Sequence, residues 1–252
     1  MGFLPNYDNP GPERDLPRKT GIFRLWETLS RDFWDLFRAG ILALLGCAPF
    51  LLGVAYSLSA HVLIYAPAAG LLGGAIADPE LCGLADTVLR GLRDEPGFWW
   101  HTYRRAWRQN AGACLLPGAV GGCLLSTQVF LLFHAGTLGL NVAAGAGLAA
   151  GVLLVLAVSL YLWPQLALME LTFVQLVKNS VLLFLGQLPR SLAALAIVSV
   201  YLWGMARFYL FLAPLFPVTN LWVPVLPALF LIYPGINEHF RIEEKLKNRP
   251  ED

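Results

Sequence analysis

The longest part of the chain without a charged residue is 111–169, which contains 59 residues and no Asp, Glu, Lys or Arg. The hydrocarbon core of a bilayer is about 30 Å thick, so a helix of about 20 apolar residues crosses it. This run therefore has the length of two membrane-spanning helices and a turn. A second uncharged run covers 39–77, and 191–237 contains only one charged residue, Arg207. Together these stretches predict an all-α, polytopic transmembrane helical bundle.

The composition also favours a membrane protein. Hydrophobic residues make up 57% of the chain and charged residues 14%, whereas soluble domains contain about 25% charged residues. We therefore expect membrane lipids, and no nucleic acid, among its partners. The cysteines form no CxxC pair, so we interpret them as small, reduced core residues and not as disulfides or metal ligands. They are Cys47, Cys82, Cys114 and Cys123.

The basic residues predict the orientation of the chain. Six of them precede the uncharged run 39–77, and five more lie between this run and 111–169. Since basic loops stay in the cytoplasm, an even number of spans must separate the two groups. Six spans with both termini in the cytoplasm leave 17 of the 18 basic residues inside, and Arg207 is the exception. We therefore expect a multi-pass protein of the cell membrane.

The predicted membrane domain, 22–240, combines six spans with four cytoplasmic amphipathic helices. The spans are about 40–59, 62–77, 111–133, 143–164, 191–211 and 219–236. The amphipathic helices, in which apolar residues recur at helical spacing, are about 22–38, 80–93, 97–110 and 168–187. Cytoplasmic tails, 1–21 and 241–252, are expected on either side. Because the first two spans are short, a re-entrant hairpin in 40–77 is the open alternative.

The helix predicted at 97–110 carries an aromatic stripe. Trp99, Tyr103 and Trp107 follow one another at four-residue spacing, beside three arginines. Aromatic rings next to arginine are typical of a helix that lies among the inner-leaflet headgroups. The same residue types also suit a docking surface for another protein. The sequence favours the first interpretation and leaves the second open.

Small residues recur at four-residue spacing in three of the predicted spans. Glycine at such positions lets two helix backbones approach closely, which favours packing between membrane helices. We interpret these residues as packing seams, within the chain or in a homo-oligomer, and not as pore-lining residues. The glycines are Gly70, Gly74, Gly118, Gly122, Gly147 and Gly151.

No stretch of the sequence matches a catalytic motif. The HExxH metalloprotease motif, the GxSxG nucleophile motif and the GxxxxGK[ST] phosphate loop are all absent. There is also no pair of aspartates within the predicted spans. We therefore expect no enzyme activity, no catalytic residues, no cofactor and no metal site.

Ionisable residues inside spans are the best functional indicators in a membrane protein. Arg207 falls in the outer third of the fifth predicted span. It either extends to the outer headgroups or binds a polar group in a cavity that opens outward. Glu170 lies just past the fourth span, where we expect an ion pair with Lys178 or Arg190.

Four segments share the order and residue types of one bacterial family. They are Phe33-Trp34-x-x-Phe37 before the Pro49-containing span, Leu89-Arg90-x-Leu92-Arg93-Asp94-Glu95-Pro96-Gly97-Phe98-Trp99, Tyr103-x-x-Ala106-Trp107-x-x-Asn110 and Leu176-x-Lys178-Asn179. Over about 20–240 the chain resembles the YesL-like family, a bacterial membrane domain of unknown function numbered 624. The chain departs from the family in having Ala39-Gly40 where an Asn is common before the first span.

The resemblance implies a setting and no established activity. Members of the YesL-like family are integral membrane proteins that are often encoded beside carbohydrate uptake and breakdown systems. The leading hypothesis is therefore a non-enzymatic accessory or scaffold of the bacterial cytoplasmic membrane, which partners a sugar-transport membrane complex. The alternative is a small transporter or channel for an uncharged solute, which the Gly- and Pro-rich spans support.

Overall fold

The computed structural model describes residues 20–95, 97–208 and 215–247, and within these ranges the chain forms helices and no strand. The helices of this part are α1 (Ile22–Ala60), α2 (Tyr65–Arg93), α3 (Trp99–Phe133), α4 (Val142–Leu168), α5 (Phe173–Gly186), α6 (Leu188–Arg207), α7 (Phe216–Thr219), α8 (Trp222–Phe240) and α9 (Ile242–Lys247). The predicted all-α class is therefore confirmed.

Five helical segments in the described part of the chain are long and apolar enough to cross a membrane. They are Ile22–Ala60, Trp99–Phe133, Val142–Leu168, Leu188–Arg207 and Phe216–Phe240. The helix α2 is not among them, because Asp78, Pro79 and Glu80 shorten its apolar part. The count of six spans, which needs a span within 62–77, stays a prediction.

The first three helices are longer than their predicted parts. The predicted helix 22–38 and span 40–59 form one helix, α1, and the same fusion joins 62–77 to 80–93 and 97–110 to 111–133. The predicted boundaries in these places are therefore not helix ends, and the amphipathic character of the cytoplasmic parts stays a prediction. At each predicted boundary between a cytoplasmic helix and a span, the side chains change in polarity. This change affects what surrounds the helix, but it does not interrupt the backbone hydrogen bonds, so the helix continues. The 39 residues of α1 extend for about 58 Å.

The helices α1, α2 and α3 pack side by side, with α2 in the middle. A tight turn at His61, whose φ is 55°, reverses the chain between α1 and α2. The residues around Asp94 then reverse it again before α3 begins. Close backbone approaches connect the helices, such as Gly73 of α2 against Phe50 of α1. This three-helix layer forms one wall of the cavity described below.

The helix α8 packs alongside the N-terminal half of α1. The rings of Phe33 and Trp222 lie 5.7 Å apart, and the side chain of Asn220 lies over Gly40. At the far end of α8, the hydroxyl of Tyr233 donates a hydrogen bond to Glu243, at 3.2 Å. The structure therefore places the start of 219–236, a predicted span, beside the end of 22–38, a predicted cytoplasmic helix.

The main apolar core lies at this level of the bundle. Leu229, Ile232 and Ile236 of α8 are fully buried, together with Leu36 of α1 and Leu89 of α2. In contrast, only 6% of the residues in the most apolar window of α4 are buried. Such an exposed apolar helix requires lipid or another protein around it.

Sidedness can be tested with single cysteines in a variant that lacks the four native ones. We expect Ser59→Cys and Thr137→Cys to react with an impermeant thiol reagent in intact cells, because basic residues are retained in the cytoplasm at the opposite end. Both side chains are exposed, as is that of Lys245. Lys245→Cys should react only after permeabilisation, and its labelling in intact cells would contradict the predicted orientation.

Candidate functional site

A cavity of about 870 Å³ lies between the three-helix layer and the remaining helices. Residues of α1 to α6, of α7 and of α8 contribute to its wall. Most of them are leucine, valine or glycine, and the charged residues among them are Asp78 and Lys178. The volume lies in the range of pockets that hold small molecules. A largely apolar cavity with few polar groups is the default candidate for a binding site.

Asp78 is the most unusual side chain in the wall of this cavity. It lies on α2 and is only 7% exposed. Its Oδ1 accepts a hydrogen bond from the indole Nε1 of Trp163 at 2.7 Å. Its Oδ2 is buried and has no hydrogen-bond partner within the described part of the chain. A buried carboxylate oxygen without a partner is costly, so Asp78 is the residue that makes this cavity a candidate site.

Sequence reasoning missed Asp78. It ended the second span at 77 and assigned the next residues to the cytoplasm, whereas α2 continues without a break from Tyr65 to Arg93. The signal that could have identified Asp78 is the pair Asp78-Pro79, which directly follows the uncharged run 39–77. Proline tolerated within a helix indicates tertiary contacts that hold the helix together there.

The predicted glycines of α2 and α3 meet in one seam. Gly70 lies against the backbone of Gly122, and Gly74 lies against the backbones of Gly118 and Gly122. The other two predicted glycines, on α4, are different. A side chain at Gly147 would meet open space, and Gly151 lies under the amide of Gln128. The seam is therefore an α2–α3 contact, and it brings Gly118 next to Asp78.

A cluster of charges holds α1 to the end of α2. The guanidinium of Arg24 donates to Oδ2 of Asp94 at 2.5 Å and to the carbonyl of Leu92 at 3.0 Å. Arg31 also pairs with Asp94 and donates to the carbonyl of Gly91. Asp94 ends α2 in the left-handed conformation, with φ 58°. The arginines therefore donate to two of the last carbonyls of α2, where the helix supplies few backbone donors of its own.

Burial opposes ionisation of Asp94, but hydrogen bonds from Arg31 and Arg24 outweigh it and lower its pKa from the usual 3.8. This carboxylate therefore contributes stability that is fully present above about pH 4. The contribution is lost as the pH falls through the lowered pKa. The cluster is a structural clamp rather than a binding site, because its groups bind one another.

The aromatic stripe on α3 has two different environments. Tyr103 is buried and donates a hydrogen bond to Glu80 at 2.5 Å, while Trp99 is partly buried beside it. Trp107, one turn further along the helix, is exposed. Since this segment is the start of α3 and continues into 111–133, it does not form a separate helix among the headgroups. Tyr103 instead joins α3 to α2.

The two ionisable candidates from the sequence lie outside the cavity. Arg207 is the last residue of α6, and it is exposed and makes no ion pair with a described residue. Glu170 lies in the short break between α4 and α5 and is also exposed. It forms no salt bridge with Lys178 or Arg190, so the predicted pairing is wrong. The chain leaves the helical conformation here, which turns Glu170 outward.

Two histidines connect the opposite end of the three-helix layer. Nδ1 of His61 lies 2.8 Å from Nε2 of His134, and Nδ1 of His134 lies 3.0 Å from the carbonyl oxygen of Phe130. A carbonyl can only accept, so Nδ1 of His134 donates to it, and the two imidazoles share the second hydrogen bond. The pair joins the α1–α2 turn to the end of α3.

Within the described ranges, no three His, Cys, Asp or Glu side chains are grouped closely enough to hold a metal ion. All four cysteines are free, and three of them are buried. Comparisons of this chain with protein-family models, with curated proteins and with solved structures found no match. Asp78 and its cavity are therefore the best candidate for a functional site, on geometry alone.

Proposed function

We propose that the protein is a non-enzymatic accessory or scaffold of the bacterial cytoplasmic membrane that docks another membrane protein on α1. The observation that carries this proposal is an exposed aromatic face at the start of that helix. We call Phe23, Trp26 and Trp34 the α1 aromatic face. Phe23 and Trp26 are 73% and 69% exposed, while Arg24 between them is 8% exposed.

This part of α1 exposes large aromatic rings although one of its arginines is buried. The arginine turns inward to Asp94, and the large rings turn outward. In water this arrangement would leave a large apolar area exposed, which marks a lipid or protein contact. Arg24 and Arg31 already pair with Asp94 inside the protein, and these ion pairs hold this part of α1 in place for such a contact.

The length of the exposed face favours a protein partner over lipid tails alone. Leu45 and Leu52 continue the α1 aromatic face along the same side of the helix, and both are exposed. From Phe23 to Leu52 the face extends for about 44 Å, compared with about 30 Å for the hydrocarbon core. Aromatic side chains are also the residues that anchor protein interfaces most strongly. The fitting partner is an apolar helix of another membrane protein.

The connection to carbohydrate uptake depends on the YesL-like resemblance and on nothing in the geometry. On that resemblance we propose a permease or other membrane subunit of a sugar-transport system as the partner. A second copy of this chain is the other occupant to consider, since the most apolar window of α4 is only 6% buried within the chain. The experiment must therefore identify what binds.

A photoreactive amino acid placed at Trp26 should form a discrete protein adduct in cells that make the protein naturally. The matched control is the same amino acid at Leu72 of α2, which is also highly exposed but lies outside the α1 aromatic face. We expect only lipid adducts there. The adduct partner should also copurify with the wild type and be lost from a Phe23→Ser, Trp34→Ser double variant that still folds.

The two positions distinguish a protein contact from a lipid contact. Adducts of lipid alone at both positions would overturn the docking proposal. A partner that is a second copy of this chain would replace the sugar-transport proposal with a homo-oligomer.

The cavity favours a second candidate function, a small transporter for an uncharged solute. An apolar chamber between two groups of helices is the kind of space through which a solute can pass. Solute flux into liposomes that contain only the purified protein would support this function. A stoichiometric membrane partner without flux would favour the accessory role.

A further inference from the structure

Asp78 differs from the other buried aspartate in the described part of the chain. Asp86, on the same helix, is 3% exposed and pairs with Arg90, whose Nε lies 2.8 Å from its Oδ2. Asp78 is buried to a similar degree and makes no ion pair with a described residue. Its only hydrogen-bond partner there is the indole of Trp163. A buried carboxylate normally has a countercharge, and here that group is missing.

Asp78 lies in the wall of a space that suits an apolar chain. The wall next to it contains Leu44, Leu81 and Val177, and further leucines and valines line the rest of the cavity. A ligand that fills the cavity therefore buries hydrocarbon along most of its length. Only its head would meet the carboxylate.

We propose that this cavity binds an amphipathic molecule that carries a primary ammonium group on an apolar chain. The ammonium binds the carboxylate of Asp78 and supplies the missing positive charge. The chain fills the space between α3, α4 and α6. This site is separate from the α1 aromatic face, so the inference stands whether or not a partner docks there.

Lys178 does not already serve as the countercharge. It lines the cavity, but its side chain is exposed and lies beyond ion-pair distance of Asp78. An ammonium with an apolar chain has two natural sources, a free long-chain amine and a lipid with an amino headgroup. In the second case Lys178 is available for the phosphate of the lipid.

The first test compares two probes with the same chain. Wild-type protein in phosphatidylcholine nanodiscs should bind radiolabelled dodecylamine saturably, above the background of empty discs. Dodecanol, which has the same chain and a neutral head, should bind roughly ten- to a hundredfold more weakly, as expected for the loss of a charged hydrogen bond. Equal affinity for both probes would overturn the proposal without the need for any variant.

The second test changes the carboxylate. Asp78→Asn keeps an oxygen for the Trp163 indole and removes the charge, so its affinity for dodecylamine should fall to that for dodecanol. Glu80→Gln is the matched control, because Glu80 is a carboxylate two residues away that does not line the cavity. Its affinity should equal that of the wild type. Unchanged amine binding by folded Asp78→Asn protein would overturn the proposal.

The third test fills the cavity. Gly121 lines the cavity and has open space around its Cα, so Gly121→Leu places a side chain there without moving a helix. This variant should lose amine binding but keep its thermal stability. Gly147→Leu is the control, since Gly147 also has open space and lies outside the cavity. Amine binding by Gly121→Leu as tight as by the wild type would exclude this cavity as the site.

Native mass spectrometry separates the two sources of the ammonium group. Phosphatidylethanolamine retained in preference to phosphatidylcholine by the wild type, and lost in Asp78→Asn, supports a lipid ligand. Dodecylamine binding that phosphatidylethanolamine does not displace supports a free amine. Either result supports the proposed ammonium site, and failure of both probes to bind would overturn it.

Discussion

Gly118→Leu should prevent the three-helix layer from assembling. A Cβ added at Gly118 would lie 2.5 Å from the Cβ of Asp78 and 3.0 Å from the carbonyl carbon of Gly74. Because these neighbours belong to one helix backbone and the base of a side chain, no rotamer change removes the clash. The helices α2 and α3 must separate, at a cost of about 3 kcal/mol or more. We expect loss of the monodisperse peak in size-exclusion chromatography of the detergent-solubilised protein.

The control for this prediction is Gly112→Leu on the same helix. A side chain at Gly112 would meet no atom within 4 Å, and leucine favours the helical conformation more than glycine does. This variant should therefore elute and melt like the wild type. If Gly118→Leu also behaved like the wild type, the close α2–α3 approach would be wrong.

Asp94→Ala should lower the free energy of unfolding by about 2 kcal/mol. Its removal leaves Arg24 buried with one counterion fewer and leaves Arg31 attached to the end of α2 only through the carbonyl of Gly91. The expected loss is smaller than for a fully buried pair, because the carboxylate of Asp94 is partly exposed. Thermal unfolding in detergent, followed by tryptophan fluorescence, measures the effect.

The acid dependence of stability gives an independent check on Asp94. The lowered pKa means that the wild type loses this contribution only as the pH falls below about 4. The difference in melting temperature between the wild type and Asp94→Ala should therefore shrink in acid. Glu244→Ala is the control, since its pair with Arg241 is exposed and should contribute less than about 1 kcal/mol. A difference that does not change with pH would contradict the clamp.

The sequence by itself determined the helical class and the residues of the seam. Long uncharged runs require backbone groups that are satisfied within each segment, which in a membrane means helices. The pairs Gly70/Gly74 and Gly118/Gly122 stood at the spacing that brings two glycines onto one face of a helix. Both signals come from residues that lie close together in the sequence, so they can be recognised without a structure. The sequence did not show that these two pairs face each other.

The tertiary structure alone decided which distant residues meet. Arg24 reaches Asp94 across 70 positions, and Trp163 reaches Asp78 across 85. No periodicity in a single helix encodes such contacts, because they depend on the relative position of two neighbouring helices along their axes. The relative position of α1 and α8 likewise places Trp222 beside Phe33, a residue that the charge pattern assigned to the cytoplasm. Asp78 became a candidate site only when packing removed it from water, left one of its oxygens without a partner and placed the residue in the wall of an apolar cavity.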